Sequence, residues 1–228
     1  MSKRLEAIMS HIPQYSRGVA DVGTDHGYLP AALIRKGYSG RIIATDINSD
    51  PLNKAVRTAE SIGAGERISF RLCDGLAGVA PDEIDTIVIA GMGGDTICGI
   101  LDRAEWCMTR EFTLILQPMT KCEILRYWLV NNDFEIISEE LVRDDRLYQI
   151  ITARFGGRQR LSDAELFTGS IRLIGKSPLF PELLNMLKRR FKSAADGMRG
   201  SAEPEIKARR DLYQAILYEL ETMEDVKA

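Results

Sequence analysis

The stretch "VADVGTDHGYLP", Val19 to Pro30, decides the fold of this chain. Apolar Val19, Ala20 and Val22 run into a turn carrying Gly23 and Gly27, and a helix-forming segment follows from about Tyr28 to Lys36. Strand, glycine turn and helix in that order open many α/β domains of the nucleotide-binding type. Asp25, however, stands where such turns usually carry a glycine. The ligand of this loop has to tolerate a carboxylate at its tip.

The pattern continues on both sides. Upstream, Leu5, Ile8, Met9 and Ile12 recur at helical spacing and predict a short amphipathic helix ending before Pro13. Downstream, "RIIATDI", "RISFRLCD", "DTIVIAG" and "FTLILQ" read as strands two to five. A helix is expected near Pro51 and another over "KCEILRYWLVNN". Strands separated by helices imply right-handed crossovers and a parallel, doubly wound sheet. "FEIISEELV" and "LYQIITARFG" are joined only by a tight polar link at Asp144 to Arg146, so they predict an antiparallel hairpin. Parallel strands closing in one such hairpin resemble the class I methyltransferases that use S-adenosylmethionine (SAM).

Past Gly157 the strand signal stops. "SDAE" at Ser162 to Glu165 is a capping box, and "SPLFPELL" predicts a second helix start with Ser177 as cap and Pro178 in the first turn. Leu183, Leu187 and Phe191 form one apolar seam; Ile206, Tyr213, Ile216, Leu217 and Leu220 form another, with Gly200-Ser201 between them. Residues 1–157 are therefore expected to form a Rossmann-like α/β domain and 158–228 a small all-helical, coiled-coil-like one. The net charge of −3 conceals this division, because Arg158 to Arg210 holds twelve Lys/Arg against six Asp/Glu and leaves the rest acidic.

Several function classes drop out. The apolar runs "TIVIAGM" and "TLIL" are strand-sized, far short of a membrane span. The first eighteen residues carry scattered charges and no apolar core of a signal peptide, so a cytoplasmic location is expected. Cys73, Cys98, Cys107 and Cys122 form no Cys-x-x-Cys pair and His11 and His26 are the only histidines. Reduced thiols are expected, with no metal site.

In a doubly wound sheet, ligands gather at the carboxyl ends of the strands. The candidates there are Asp21 with the Gly23, Thr24 and Gly27 turn, Asp46-Ile47, Asp74-Gly75, Ala90-Gly91 leading to Met92, Gly93 and Gly94, and Gln117-Pro118. Asp46 lies about twenty residues past the turn, where an acidic residue takes ribose hydroxyls. Asp74 is placed to accept from an adenine amino group, with Gly75 leaving room for the ring. A pyrophosphate would be repelled by Asp25, and the G-x-G-x-x-G spacing is incomplete, which disfavours NAD and FAD. SAM carries a sulfonium and an ammonium and no phosphate, so acidic residues suit it.

"DVGTDHGYLP", "ATDIN" followed by "PL", "DGL", "IAGMGG" and "LQPM" resemble, in order and spacing, the bacterial tRNA (adenine-22-N1)-methyltransferases of the TrmK family. "WLVNNDFEIISEEL" and "YQII" fit that family's closing helix and hairpin, and Gly27 stands where its members often have alanine. The resemblance covers about the first two thirds of the chain and implies methyl transfer from SAM to N1 of an adenine in the D-loop region of tRNA. For that reaction Asp25 is the candidate catalytic stabiliser of the cationic product ring, directly on the adenine or through the loop around the sulfonium, with Tyr28 a candidate contact to the target base and His26 to substrate or cofactor. Met92, Gly93, Gly94, Gln117 and Pro118 would line the slot for the flipped base. Many base N-methyltransferases that act on exocyclic amines carry an Asp/Asn-Pro-Pro-aromatic run there, which this chain lacks. Lys188, Arg189, Arg190 and Lys192 would track RNA phosphates. A SAM enzyme with another acceptor, and a non-catalytic SAM- or RNA-binding module, are the alternatives.

Overall fold

The computed structural model describes residues 1–201 and 203–225. It divides into two compact units, Met1–Gln159 and Arg160–Ala228; Ala202 and residues 226–228 of the expected helical domain lie outside the described residues.

The first unit is a seven-stranded sheet built from β1 (Gly18–Val22), β2 (Arg41–Asp46), β3 (Ile68–Leu72), β4 (Thr86–Gly93), β5 (Thr113–Thr120), β6 (Phe134–Arg143) and β7 (Leu147–Phe155). Its order is β3-β2-β1-β4-β5-β7-β6. The first five strands pair in parallel, and β7 runs antiparallel to both β5 and β6. The doubly wound, Rossmann-like sheet with a closing hairpin is thus the one the sequence predicts. Every residue of β1 is buried, as expected for a strand covered on both faces. The helices covering it are α1 (Lys3–Ser10), α2 (Tyr28–Arg35), α3 (Ser49–Ser61), α4 (Gly94–Asp102) and α5 (Cys122–Asn131).

α1 is capped by Ser2, whose Oγ accepts from the Leu5 N–H at 3.2 Å. It buries Ala7, Ile8 and Met9 in one cluster with Leu29, Ala32 and Leu33 of α2. α3 begins at Ser49, so Pro51 does sit in its first turn. α4 has no clear signal in the sequence. Its segment opens on two glycines and contains Gly99, poor helix formers, and burial of Ile97, Cys98, Ile100 and Leu101 overrides that propensity. α5 is fastened to the hairpin by a fully buried ion pair: Arg126 Nε donates to Glu139 Oε1 at 2.7 Å and Nη2 to Gln149 Oε1 at 2.6 Å. Trp128, also on α5, donates its indole N–H to Asp102 Oδ1 at 2.8 Å. The four cysteines are free thiols, and burial pushes those of Cys98 and Cys107 up to about 12.

The second unit holds α6 (Asp163–Thr168), α7 (Ile171–Ile174), α8 (Phe180–Gly197) and α9 (Pro204–Asp225). The Ser162–Glu165 capping box forms as expected. The second helix start differs: α8 begins at Phe180 with Pro181 in its first turn. Ser177 caps only the turn before it, its Oγ accepting from the Leu179 N–H at 3.3 Å and its carbonyl from Phe180. Leu183, Leu187 and Phe191 are buried on α8, and Ile216, Leu220 and Met223 on α9. Tyr213 meets the Phe191 ring edge-on at 5.2 Å, while Ile206 and Leu217 are only partly covered. Among the described residues no helix is long and apolar enough to cross a membrane.

Candidate active site

β1 neighbours both β2 and β4, so the chain's topology reverses at its carboxyl end and opens a crevice there. The turn after β1 is tied across that crevice, with the N–H groups of Gly23 and Thr24 both donating to the Thr45 carbonyl at 2.8 and 2.9 Å. Gly23, Asp25 and Gly27 all adopt positive φ, at 71°, 47° and 69°. Position 25 takes the left-handed conformation that favours glycine, and aspartate is one of the few side chains that tolerates it. A Cβ on Gly23 would lie 2.1 Å from Met92 Cε, so the missing side chain is what lets Met92 cover the turn.

A cavity of about 600 Å³ fills the crevice, within the span of small-ligand pockets. The β1 turn contributes Asp21, Gly23, Thr24, Asp25 and Tyr28; the end of β2 gives Asp46 and Ile47; the β3 turn gives Asp74 and Gly75; and β4 gives Ala90, Gly91 and Met92. Asp21 is buried, and its carboxyl is raised to about 6, first by loss of solvation and further by the nearby Asp46. The Thr24 hydroxyl, donating to Asp21 Oδ2 at 2.6 Å, opposes that rise. Asp46 Oδ1 accepts from the Asn48 N–H at 2.8 Å, while its Oδ2 accepts from no described protein group. Asp74 pairs with Arg103 at 3.0 Å. A Cβ on Gly75 (φ 59°) would come within 2.8 Å of Ile100 Cγ2, so this glycine keeps the slot beside Asp74 open.

Other expected residues have different placements. His26 lies outside the cavity lining, but its ring stacks on Tyr28 at 5.2 Å and 14°, and Tyr28 is 60% exposed. Gly27 caps α2 and permits close packing on α3, where a Cβ would lie 2.9 Å from Ala55 Cα. Gly93 ends β4 and Gly94 begins α4, both outside the cavity lining, and a Cβ on Gly94 would strike the Lys121 carbonyl at 2.2 Å. Gln117 is buried: its Oε1 accepts from Arg4 Nη1 at 3.2 Å and its Nε2 donates to the Pro118 carbonyl at 3.0 Å. Lys188, Arg189, Arg190 and Lys192 lie on α8 of the second unit, with Arg189 and Lys192 exposed and Arg190 over the rings of Phe167 and Phe191.

Sequence reasoning missed Arg4, Leu5 and Ile8 of α1, Thr96 of α4 and Arg103 just past its end, all of which line the cavity. The periodicity of α1 shows an amphipathic helix, but nothing local shows where it docks. Of the lining residues, four are aspartates and two are arginines, a donor set suited to a cationic ligand and hostile to a pyrophosphate. Among the described residues no group of three or more His, Cys, Asp or Glu is arranged to hold a metal.

A methyltransferase-domain family model matches residues 1–151. The tRNA (adenine(22)-N(1))-methyltransferase of Bacillus subtilis is 35% identical over 164 residues, 72% of this chain and 68% of that protein. Its likeness extends to solved structures. The B. subtilis m1A22 tRNA methyltransferase TrmK superposes with a TM-score of 0.88 at 27% identity, covering 98% of both chains. A Streptococcus pneumoniae protein described as a putative tRNA (m1A22) methyltransferase, solved in complex with SAM, gives 0.80 at 29% identity, covering 95% of this chain and 99% of that one. The chain belongs to the tRNA (adenine(22)-N(1))-methyltransferase family.

Proposed function

We infer that this protein transfers the methyl group of SAM to N1 of adenine 22, in the D-loop region of bacterial tRNA. The observation that carries the reading is the acidic cavity at the β1/β4 crevice, with Asp25 on its rim turn, in a chain 35% identical to an enzyme of that activity.

The residues present fit SAM. Asp46 offers a free carboxylate oxygen to a ribose diol, and the Asp74–Arg103 pair beside the Gly75 slot suits an adenine edge. Asp21 and the tied turn supply a negative environment for the cofactor's cationic groups. SAM supplies an electrophilic methyl group on its sulfonium.

The acceptor nitrogen already owns a lone pair and gives up no proton when it attacks, so no strong general base is needed. The methylated ring is cationic. Asp25 would stabilise that developing charge, an electrostatic effect opposite in sign to an oxyanion hole. The stacked His26–Tyr28 pair would receive the flipped base on its exposed aromatic surface and hold it in line. The basic run Lys188 to Lys192 on α8 would follow RNA phosphates in a tRNA-binding helical domain. The enzyme would work in the cytoplasm, where its substrate is made.

The test is methyl transfer from labelled SAM to an unmodified tRNA with adenine at position 22, beside the same tRNA with guanine there. Label confined to the adenine tRNA and mapping to N1 is expected. Equal label on both, or none while SAM binds, refutes the assignment.

A further inference from the structure

Two arginines from distant parts of the sequence meet around one tyrosine ring at the edge of the cavity. Arg4, on α1, and Arg146, at the tip of the β6–β7 hairpin, stack over the same Tyr148 ring at 5.2 and 5.1 Å. Both also reach the Met119 sulfur, Arg4 Nη1 at 3.9 Å and Arg146 Nη2 at 3.2 Å. Among the described residues neither guanidinium forms an ion pair. The nearby carboxylates take their hydrogen bonds from other donors: Asp144 Oδ2 accepts from the Arg4 backbone N–H at 3.2 Å, and Asp145 Oδ1 from the Tyr148 hydroxyl at 2.7 Å, although Asp145, exposed like Arg146, also feels the Arg146 charge through space.

We propose that Arg4 and Arg146 form an anion site for a phosphodiester of the RNA substrate, close to the nucleotide being methylated. The inference rests on the methyl-transfer reading above and deepens it. Arg4 is the inner member, lining the cavity with Nη1 over Gly91, where a Cβ would lie 3.9 Å away. Arg146 is the outer member, exposed and outside the cavity lining. A carboxylate on a ligand wholly inside the cavity would meet only Arg4. An anion that reaches both must pass from the cavity to the surface, as the backbone of a nucleotide inserted from outside does. Tyr148 and Met119 set the two forks in place without neutralising them, and a planar guanidinium is suited to bidentate phosphate contact.

Arg146→Gln is the principal variant, because an exposed side chain can be changed without emptying the core. The measurements are affinity for an unmodified tRNA by fluorescence anisotropy across a salt series, KM for that tRNA, and SAM affinity by calorimetry. The expected result is tRNA affinity about tenfold weaker, with the slope of log K against log salt reduced by about one. SAM affinity should stay within about twofold, and Arg146→Lys should restore the slope. Arg4→Gln should weaken tRNA binding in the same direction. An unchanged tRNA affinity and salt slope in Arg146→Gln overturns the proposal, as does a loss confined to SAM affinity in both variants. Because anisotropy does not need turnover, the two readings fail separately. A wild-type protein that binds tRNA through Arg146 but transfers no methyl group would sink the activity and keep the site.

Discussion

Replacing Asp21 by asparagine should stabilise the ligand-free protein, and by an amount that depends on pH. The Asp21 carboxyl is buried, and its folded value of about 6 exceeds the ordinary 3.8. A raised carboxyl is one whose ionised form the folded state disfavours. Its contribution is therefore harmless below the unfolded value, and stability is lost as pH climbs from there through the folded value. The full gap corresponds to about 3 kcal/mol above pH 7. Asparagine keeps an oxygen for the Thr24 hydroxyl but carries no charge. The difference in unfolding free energy, variant minus wild type, should thus grow from about 0.5 kcal/mol at pH 4 to about 3 kcal/mol at pH 8. Urea unfolding of both proteins at several pH values measures it, and taking the difference cancels every other titrating group. A difference that stays constant across that range would show that Asp21 ionises freely in the fold. In that case the assignment of burial and Asp46 as opposing its charge would be wrong.

Three further outcomes are expected. Asp25→Asn keeps a side chain that accepts the left-handed backbone at φ 47° but removes the charge; kcat for tRNA methylation should fall by about 10²-fold with SAM affinity little changed, and an unaltered kcat would deny Asp25 an electrostatic role. Gly23→Ala meets both a positive φ and Met92 Cε at 2.1 Å, so SAM affinity measured by calorimetry should collapse, whereas near-native binding would mean that Met92 moves aside freely. Arg126→Met leaves Glu139 buried without its guanidinium and should lower unfolding stability by about 3–5 kcal/mol, and a loss below about 1 kcal/mol would show that this pair does not hold α5 to the hairpin.

Much of the fold was legible because it rests on local patterns. The apolar runs of β1 to β5, separated by helix-length segments, allow only parallel pairing, and the short Asp144–Arg146 link allows only a hairpin. The ligand-facing aspartates were legible for a similar reason: strand ends of a doubly wound sheet converge, so Asp21, Asp46 and Asp74 meet wherever the strands do. α4 was hidden by glycines whose low propensity is outweighed by burial. Gly94, expected to line a slot, is instead required by the approach of the Lys121 backbone, a contact between segments twenty-seven positions apart. Ser177 resembled a helix cap because the local pattern cannot distinguish a capped turn from a capped helix.

By itself, then, the sequence determined the order of the elements and the acidic character of the cavity, since each depends on local patterns or on topology rules acting over short spans. Only the tertiary structure decided that β7 lies between β5 and β6, that α1 brings Arg4 over Gly91, and that Arg4 and Arg146 share one tyrosine ring. Those arrangements join residues from 35 to 142 positions apart, and their energies come from packing and desolvation, which arise only once the chain has closed on itself.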